Sequence, residues 1–454
     1  MIISRNRLIE ILFSLFFLLL IIFNNDLDFA VITYLSSLFI ISYFLFKIKR
    51  VNVFSIYSLA FIFFNLYVVI PILNYLFFNV PIFLSPIEKH YSDIHFTYFL
   101  HFIKNSNIGI LLYSVISWEI SNQKSTNSFK LNHKVAFVFF IIGYILLIIQ
   151  LLITKSYNYI GNGGFFRQHF FSFPPLYFYL TLPTLFLLGK SIANREISKL
   201  RLLIYLPLIF LYIFQWLIFG IRNIALYTLL VFLIGLFIDK RIKIKISFKW
   251  LLLVVIVFFV FIFYSIRTRM RTESKPTITE VVEFGLKNPI FINPGALEYG
   301  TSYYNYAIMK RYNFEEDYFF EHYLLLNFSV FYRILGINNQ TLFYRYRDNY
   351  FPEYKQKAGS SGGSGWSIQY EFEMVFGKYF YWVMYLFLGT VFWIISLKSN
   401  KSGIWALFMV FLIPSIIMFA RSPLVLLNFI TKFLYAYLFY HFFIFIDKTF
   451  FIKK

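Results

Sequence analysis

Apolar runs long enough to cross a bilayer follow one another along most of this chain, parted by short polar breaks. In order they cover 8–23, 27–46, 51–75, a run ending near Glu119, 135–154, 174–188, 202–219, 224–238, 250–266, 379–397, 404–420 and 424–446. Lys104, Asn105 and Asn107 interrupt the start of the fourth run. Between Tyr264 and Tyr379 the pattern stops and then resumes. That excursion is too polar to span a membrane and too rich in Tyr and Phe to be a disordered tether. The pattern predicts an all-α polytopic membrane protein with about 12 transmembrane helices and one large, mainly helical loop. Residues 1–266 carry helices one to nine, 267–378 form the loop domain, and 379–454 carry the last three helices.

The loop has its own punctuation. Thr277 is placed to N-cap a short helix running to about Leu286, with Glu280 three residues on as its capping-box partner. Asn288-Pro289 and Asn293-Pro294-Gly295 then break the chain. A second helix is expected over 296–311. A third segment, 314–335, has Phe and Leu at helical spacing and is expected to pack on the others or lie at the membrane interface. The run Gly359-Ser-Ser-Gly-Gly-Ser-Gly365 reads either as a linker back to the tenth helix or as a loop that lets backbone approach a ligand closely. It is not a Walker loop, because no Gly-Lys-Ser/Thr follows.

Composition strengthens the membrane reading. Only 14% of the 454 residues are charged and mean hydropathy is +0.69, against roughly 25% charged in a soluble domain. The formal charge of +21 is mostly topology signal rather than a nucleic-acid footprint. Basic residues collect on one side, at Arg5 and Arg7, Lys47 to Arg50, Lys124 to Lys134, Lys190 to Arg201, Lys240 to Lys249, Lys398 and Lys401, and Lys448 to Lys454. This puts both termini in the cytoplasm and the large loop outside. The loop itself is nearly balanced in charge. With no cysteine in the chain, disulfides, thiol nucleophiles and thiolate metal sites are excluded. Asn24-Asn25-Asp26 follows the first run where a signal peptide would have small residues, so that helix is read as uncleaved.

Several residues could carry chemistry. Arg222, in a four-residue turn, and Arg421, at the mouth of the last hairpin, could each face an anionic headgroup or act as interfacial anchors. Arg267, Arg269 and Arg271 enter the loop together, and clustered arginines at that edge fit a lipid diphosphate. Lys432 lies well inside the last helix, where it should face the bundle interior or snorkel. Glu371 and Glu373, just before the tenth helix, could take a proton from a hydroxyl or could be solvated first-turn residues. His322, His169 and His95 are rival bases. Asp26-Leu-Asp28 resembles a metal-binding acidic pair, but its loop is so short that it reads as turn and cap residues. No metal or cofactor is expected.

Two local patterns sit on this architecture. Gly220-Ile-Arg222 resembles a G-x-R signature opening a helix, and Gly362–Gly365, Ser367, Glu371 and Phe376-Gly377 resemble a Gly-rich, Ser…Glu…Phe-Gly ending of a large loop. Together with the late extracytoplasmic loop, the chain resembles the O-antigen polymerase (Wzy) family of repeat-unit polymerases, related to the O-antigen ligases. The resemblance implies a GT-C-like, metal-independent, inverting glycosyltransferase in the bacterial inner membrane. It would join undecaprenyl-diphosphate-linked oligosaccharides on the periplasmic face, with a flippase and a chain-length regulator as partners. Arg222, Arg267, Arg269, Arg271 and Arg421 would then bind diphosphate, Glu371 or His322 would be the base, and Tyr299, Tyr303 and Tyr304 would stack on sugars. Rival readings are an O-antigen ligase using lipid A core as acceptor, a lipid-linked oligosaccharide flippase, and an acyltransferase. The large loop argues against the flippase, and the want of a well-placed His/Asp pair against the acyltransferase.

Overall fold

A computed structural model describes residues 5–78, 98–117, 132–160, 176–219, 221–238, 301–311, 367–418 and 427–450, with short pieces near 96, 166–170 and 277–283. These residues are helical, with no strand among them. The helices are α1 (Arg5–Phe23), α2 (Leu27–Tyr43), α3 (Ile56–Phe78), α4 (Phe99–Ile116), α5 (His133–Ile153), α6 (Leu176–Ala193) and α7 (Lys199–Ile218). They continue with α8 (Arg222–Phe237), α9 (Thr301–Arg311), α10 (Ile368–Phe380), α11 (Trp382–Ser399), α12 (Gly403–Ile417) and α13 (Phe429–Phe450). Eight are long and apolar enough to cross a membrane: α1, α2 with the π-turn Phe44–Ile48 that extends it, α3, α4, α5, α7, α11 and α13. Two shorter apolar helices, α8 and α12, pack among them. The run predicted over 250–266 lies outside the described residues.

Helix ends follow from local chemistry. The Asp26 carboxylate accepts the Phe29 N–H at 2.8 Å and caps α2, while Asp28 accepts the Tyr75 hydroxyl at 2.6 Å. The acidic pair is thus a cap and a tie, as the short loop predicted. Asn132 caps α5 by accepting the Lys134 N–H. In the loop, the Thr277 N–H donates to Glu280 Oε2 at 2.7 Å and the Glu280 N–H donates back to Thr277 Oγ1. That reciprocal pair is the predicted capping box.

Helices pack in two groups. α1, α2, α3 and α11 gather around α4, and α5 and α8 close on either side of α6, with α7 against α8. α12 touches α3, α11, α6 and α8 and so joins the groups. The α6–α8 crossing is close because both helices carry glycine there. A Cβ on Gly189 would lie 2.5 Å from the Phe232 carbonyl oxygen, and one on Gly235 would lie 2.2 Å from that of Phe186. Small residues at a crossing let backbones meet where no hydrophobic force separates lipid from protein.

The predicted tenth helix is α11, and a separate helix, α10, leads into it. α10 starts at Ser367, whose hydroxyl accepts the Tyr370 N–H, and it breaks at Gly377, with φ 71 and ψ 168. This backbone region is open in practice only to glycine, and nothing lies within 4 Å of where its Cβ would be. The requirement at Gly377 is therefore conformational rather than steric. After the break α11 enters the bundle. α9 and α10 contact each other and rest on α3 and α4, capping one end of the first group; this end is called the loop face below.

Opposite the loop face, a buried ion pair joins α1 to the end of α4. Lys49 Nζ donates to Glu10 Oε1 at 2.6 Å, to the Ser117 carbonyl at 2.7 Å and hydroxyl at 2.8 Å, and to the Ser114 carbonyl at 3.2 Å. Both side chains are about 4% exposed. The lysine takes up carbonyls that the last turn of α4 leaves without helical partners.

Candidate functional site

Where the cap meets the bundle, polar side chains from three other helices gather around Glu373 of α10. Asn105 Nδ2 of α4 donates to Glu373 Oε1 at 2.7 Å, and the Tyr306 hydroxyl of α9 donates to the same oxygen at 2.8 Å. Lys310, one turn further along α9, forms an ion pair with Glu373 Oε2. The Tyr385 hydroxyl of α11 donates to Asn105 Oδ1 at 2.6 Å, so loop helices and membrane helices share one hydrogen-bonded network. The Lys310 ammonium also lies over the rings of Tyr306 and Tyr370, at 5.8 and 5.5 Å from their centroids. Burial, and then the carboxylate of Glu373 beside it, push the Tyr306 hydroxyl well above the ordinary tyrosine value. Tyr306 therefore stays protonated and can only donate to the carboxylate.

The polar stretch that interrupted the fourth predicted run is part of this site. α4 carries Asn105, Ser106 and Asn107 at 3%, 0% and 1% exposure. Asn105 reaches the network, and Asn107 Oδ1 accepts the Ser37 hydroxyl of α2 at 2.6 Å. Nearby, the Tyr34 hydroxyl donates to Asn65 Oδ1 at 2.6 Å, tying α2 to α3. Lys104 points to the rim instead, donating to Asn25 Oδ1 in the first hairpin.

Glu371 is fully buried, not a solvated first-turn residue. It lies two residues from Glu373, which in a helix places it on the far side of α10 from the Asn105–Tyr306–Lys310 contacts. Tyr303 is also fully buried, with Phe99 and Phe102 at 4.9 and 5.3 Å between ring centroids. Its ring is committed to holding α9 on α4, which leaves it no free face for a sugar. Tyr304 lies in α9 and Arg222 is the first residue of α8; their side chains lie outside the described residues. So do Arg267, Arg269, Arg271, Tyr299, His322, Arg421, His95 and the run 359–365. His169 stacks on Tyr159 at 4.3 Å. Lys432 turns inward, donating to the Ser415 hydroxyl of α12.

Lys310, Tyr306, Asn105 and Tyr385 were missed as site residues. For Asn105 a signal existed, four consecutive polar residues, Lys104 to Asn107, in an apolar run. For Lys310 and Tyr306 nothing in the local sequence sets them apart from the other aromatic and basic residues of the loop.

Among the described residues no group of three or more His, Asp or Glu is placed to hold a metal ion. Comparison with protein-family models, curated proteins and solved structures found no match to this chain.

Proposed function

We propose that this protein is a membrane glycosyltransferase that polymerises lipid-diphosphate-linked oligosaccharide units on its loop face, the periplasmic face of a bacterial inner membrane. The observation that carries the reading is the polar network centred on Glu373, built where the loop helices α9 and α10 rest on the bundle. A flippase has no need of such a layer between a loop domain and its helices, whereas a transferase must hold two substrates in fixed relation. The family resemblance of the Ser367…Glu371…Phe376-Gly377 segment adds the chemistry.

In that chemistry an acceptor hydroxyl attacks the anomeric carbon of the donor sugar. The carbon–oxygen bond to the lipid diphosphate breaks, its electron pair leaves with the diphosphate, and the hydroxyl proton passes to a base. Glu371 or His322 is the base in this reading, and Arg222, Arg421 and the Arg267, Arg269 and Arg271 group hold the developing negative charge. Three donors already engage Glu373, so it fits the role of holding cap and bundle in register better than that of accepting a proton. Tyr299 and Tyr304 remain the sugar-stacking residues.

Purified protein in lipid vesicles, supplied with undecaprenyl-diphosphate-linked repeat units and no lipid A core, should yield a ladder of longer glycans. Glu371→Gln and Arg222→Ala should each slow this by 100-fold or more at unchanged protein abundance, on the scale of removing one acid–base or charge-stabilising group. No ladder from wild-type protein, with ready transfer once core acceptor is added, would make it a ligase instead.

A further inference from the structure

Three amide side chains, on α3, α9 and α10, are buried with hydrogen-bonding atoms unused. Asn74 of α3 is 1% exposed, Asn305 of α9 and Gln369 of α10 are 0% exposed. Both amide atoms of Asn74 and of Asn305, and Nε2 of Gln369, have no hydrogen-bond partner. Buried polar groups are almost always satisfied, so each exception needs a cause. Asn305 lies on α9, which packs on α3 and on α10, the helices that carry Asn74 and Gln369. Asn305 and Gln369 immediately precede Tyr306 and Tyr370, whose rings meet across the α9–α10 seam at 6.2 Å. Gln369 also lies four residues before Glu373, on the same face of α10. The Ser367 hydroxyl already occupies Gln369 Oε1, which leaves a donor free there, while Asn305 and Asn74 each offer a donor and an acceptor.

We propose that Asn74, Asn305 and Gln369 form a subsite for the uncharged, hydroxyl-rich end of a glycan, entering along the seams of α9. This rests on the transferase reading and deepens it by separating the sugar from the diphosphate. The charges beside the subsite, Lys310 and Glu373, neutralise each other, so the seam offers no net positive charge to a phosphate. Paired amide donors and acceptors match vicinal hydroxyls and acetamido groups, which present both functions.

The test uses the full chain in detergent, methyl glycosides of hexoses and N-acetylhexosamines as probes, and inorganic pyrophosphate as the anionic control. Saturation-transfer NMR should show contact with at least one glycoside. Gln369→Met and Asn305→Leu should weaken that binding tenfold or more, leave pyrophosphate binding unchanged, and hold or raise the melting temperature, since an unsatisfied buried amide is replaced by an apolar group of similar size. Absence of glycoside binding in the wild type overturns the subsite. So does unchanged binding in both variants, which would assign the amides to trapped water. A wild type that binds glycosides but never elongates lipid-linked units upholds the subsite and overturns the transferase reading.

Discussion

At the scale of single residues, Glu373 carries the most connections of any site residue, and they divide between cap and bundle. Removing Lys310 leaves a carboxylate with two neutral donors in a part-buried setting, where hydrogen bonds to charged groups contribute roughly 1.5–3 kcal/mol. The Lys310 side chain is 29% exposed, which reduces the pair's worth through solvent screening. We expect Lys310→Met to destabilise the docking of α9 by about 1–2 kcal/mol, read as faster hydrogen exchange over 301–311. Lys310→Met combined with Glu373→Gln should recover part of that loss, because no uncompensated charge then remains. Unchanged exchange in the single variant would remove the ion pair from the account. Local rules predicted the caps well. Asp26 and the Thr277–Glu280 pair each needed only neighbours within three positions. The Glu373 centre was illegible by the same token, since Asn105 and Glu373 are 268 positions apart and no local pattern joins them.

At the scale of elements, eight of the twelve expected runs fall on described helices long and apolar enough to cross a membrane, and polar joints account for part of the difference. The expected tenth helix began at Tyr379, yet hydropathy cannot see that Gly377 turns the chain between two helices. The fourth run reads as weak because Asn105, Ser106 and Asn107 lower its hydropathy, though inside the bundle Asn105 and Asn107 find hydrogen-bond partners. α6 is the most tightly gripped helix of its group, and its glycine contact with α8 offers a direct check. Gly235→Ala would drive a methyl group to 2.2 Å from the Phe186 carbonyl oxygen, so the helices must separate. Overpacking of this kind costs about 1–3 kcal/mol, and the melting temperature of the purified protein should fall. Gly377→Ala should also destabilise, through backbone conformation alone, by about 1–3 kcal/mol. An equal loss with no change in α6–α8 cross-linking would distinguish the two causes.

At the scale of the whole molecule, the bundle is fastened at both faces. The Glu10–Lys49 pair is the fastening opposite the cap, and it is dry. Breaking one side of such a pair strands the other charge, which typically costs 3–5 kcal/mol. Glu10→Gln should therefore release α1 and raise its protease sensitivity, whereas Glu10→Leu with Lys49→Met should restore much of the stability. Equal instability of the single and double variants would show that the pair does more than fasten.

α4 touches both fastenings, at Asn105 and at Ser114 and Ser117. With a rise of about 1.5 Å per residue, Asn105 sits ~9 Å below the first residue of α4 and ~14 Å from Ser114. For a span that starts at Phe99 in a hydrocarbon slab about 30 Å thick, that offset would set the Glu373 centre beneath the level where lipid phosphates float. Under the transferase proposal, a polyprenol-borne reactant would then reach it sideways, by sliding in the leaflet, without lifting its tail toward water.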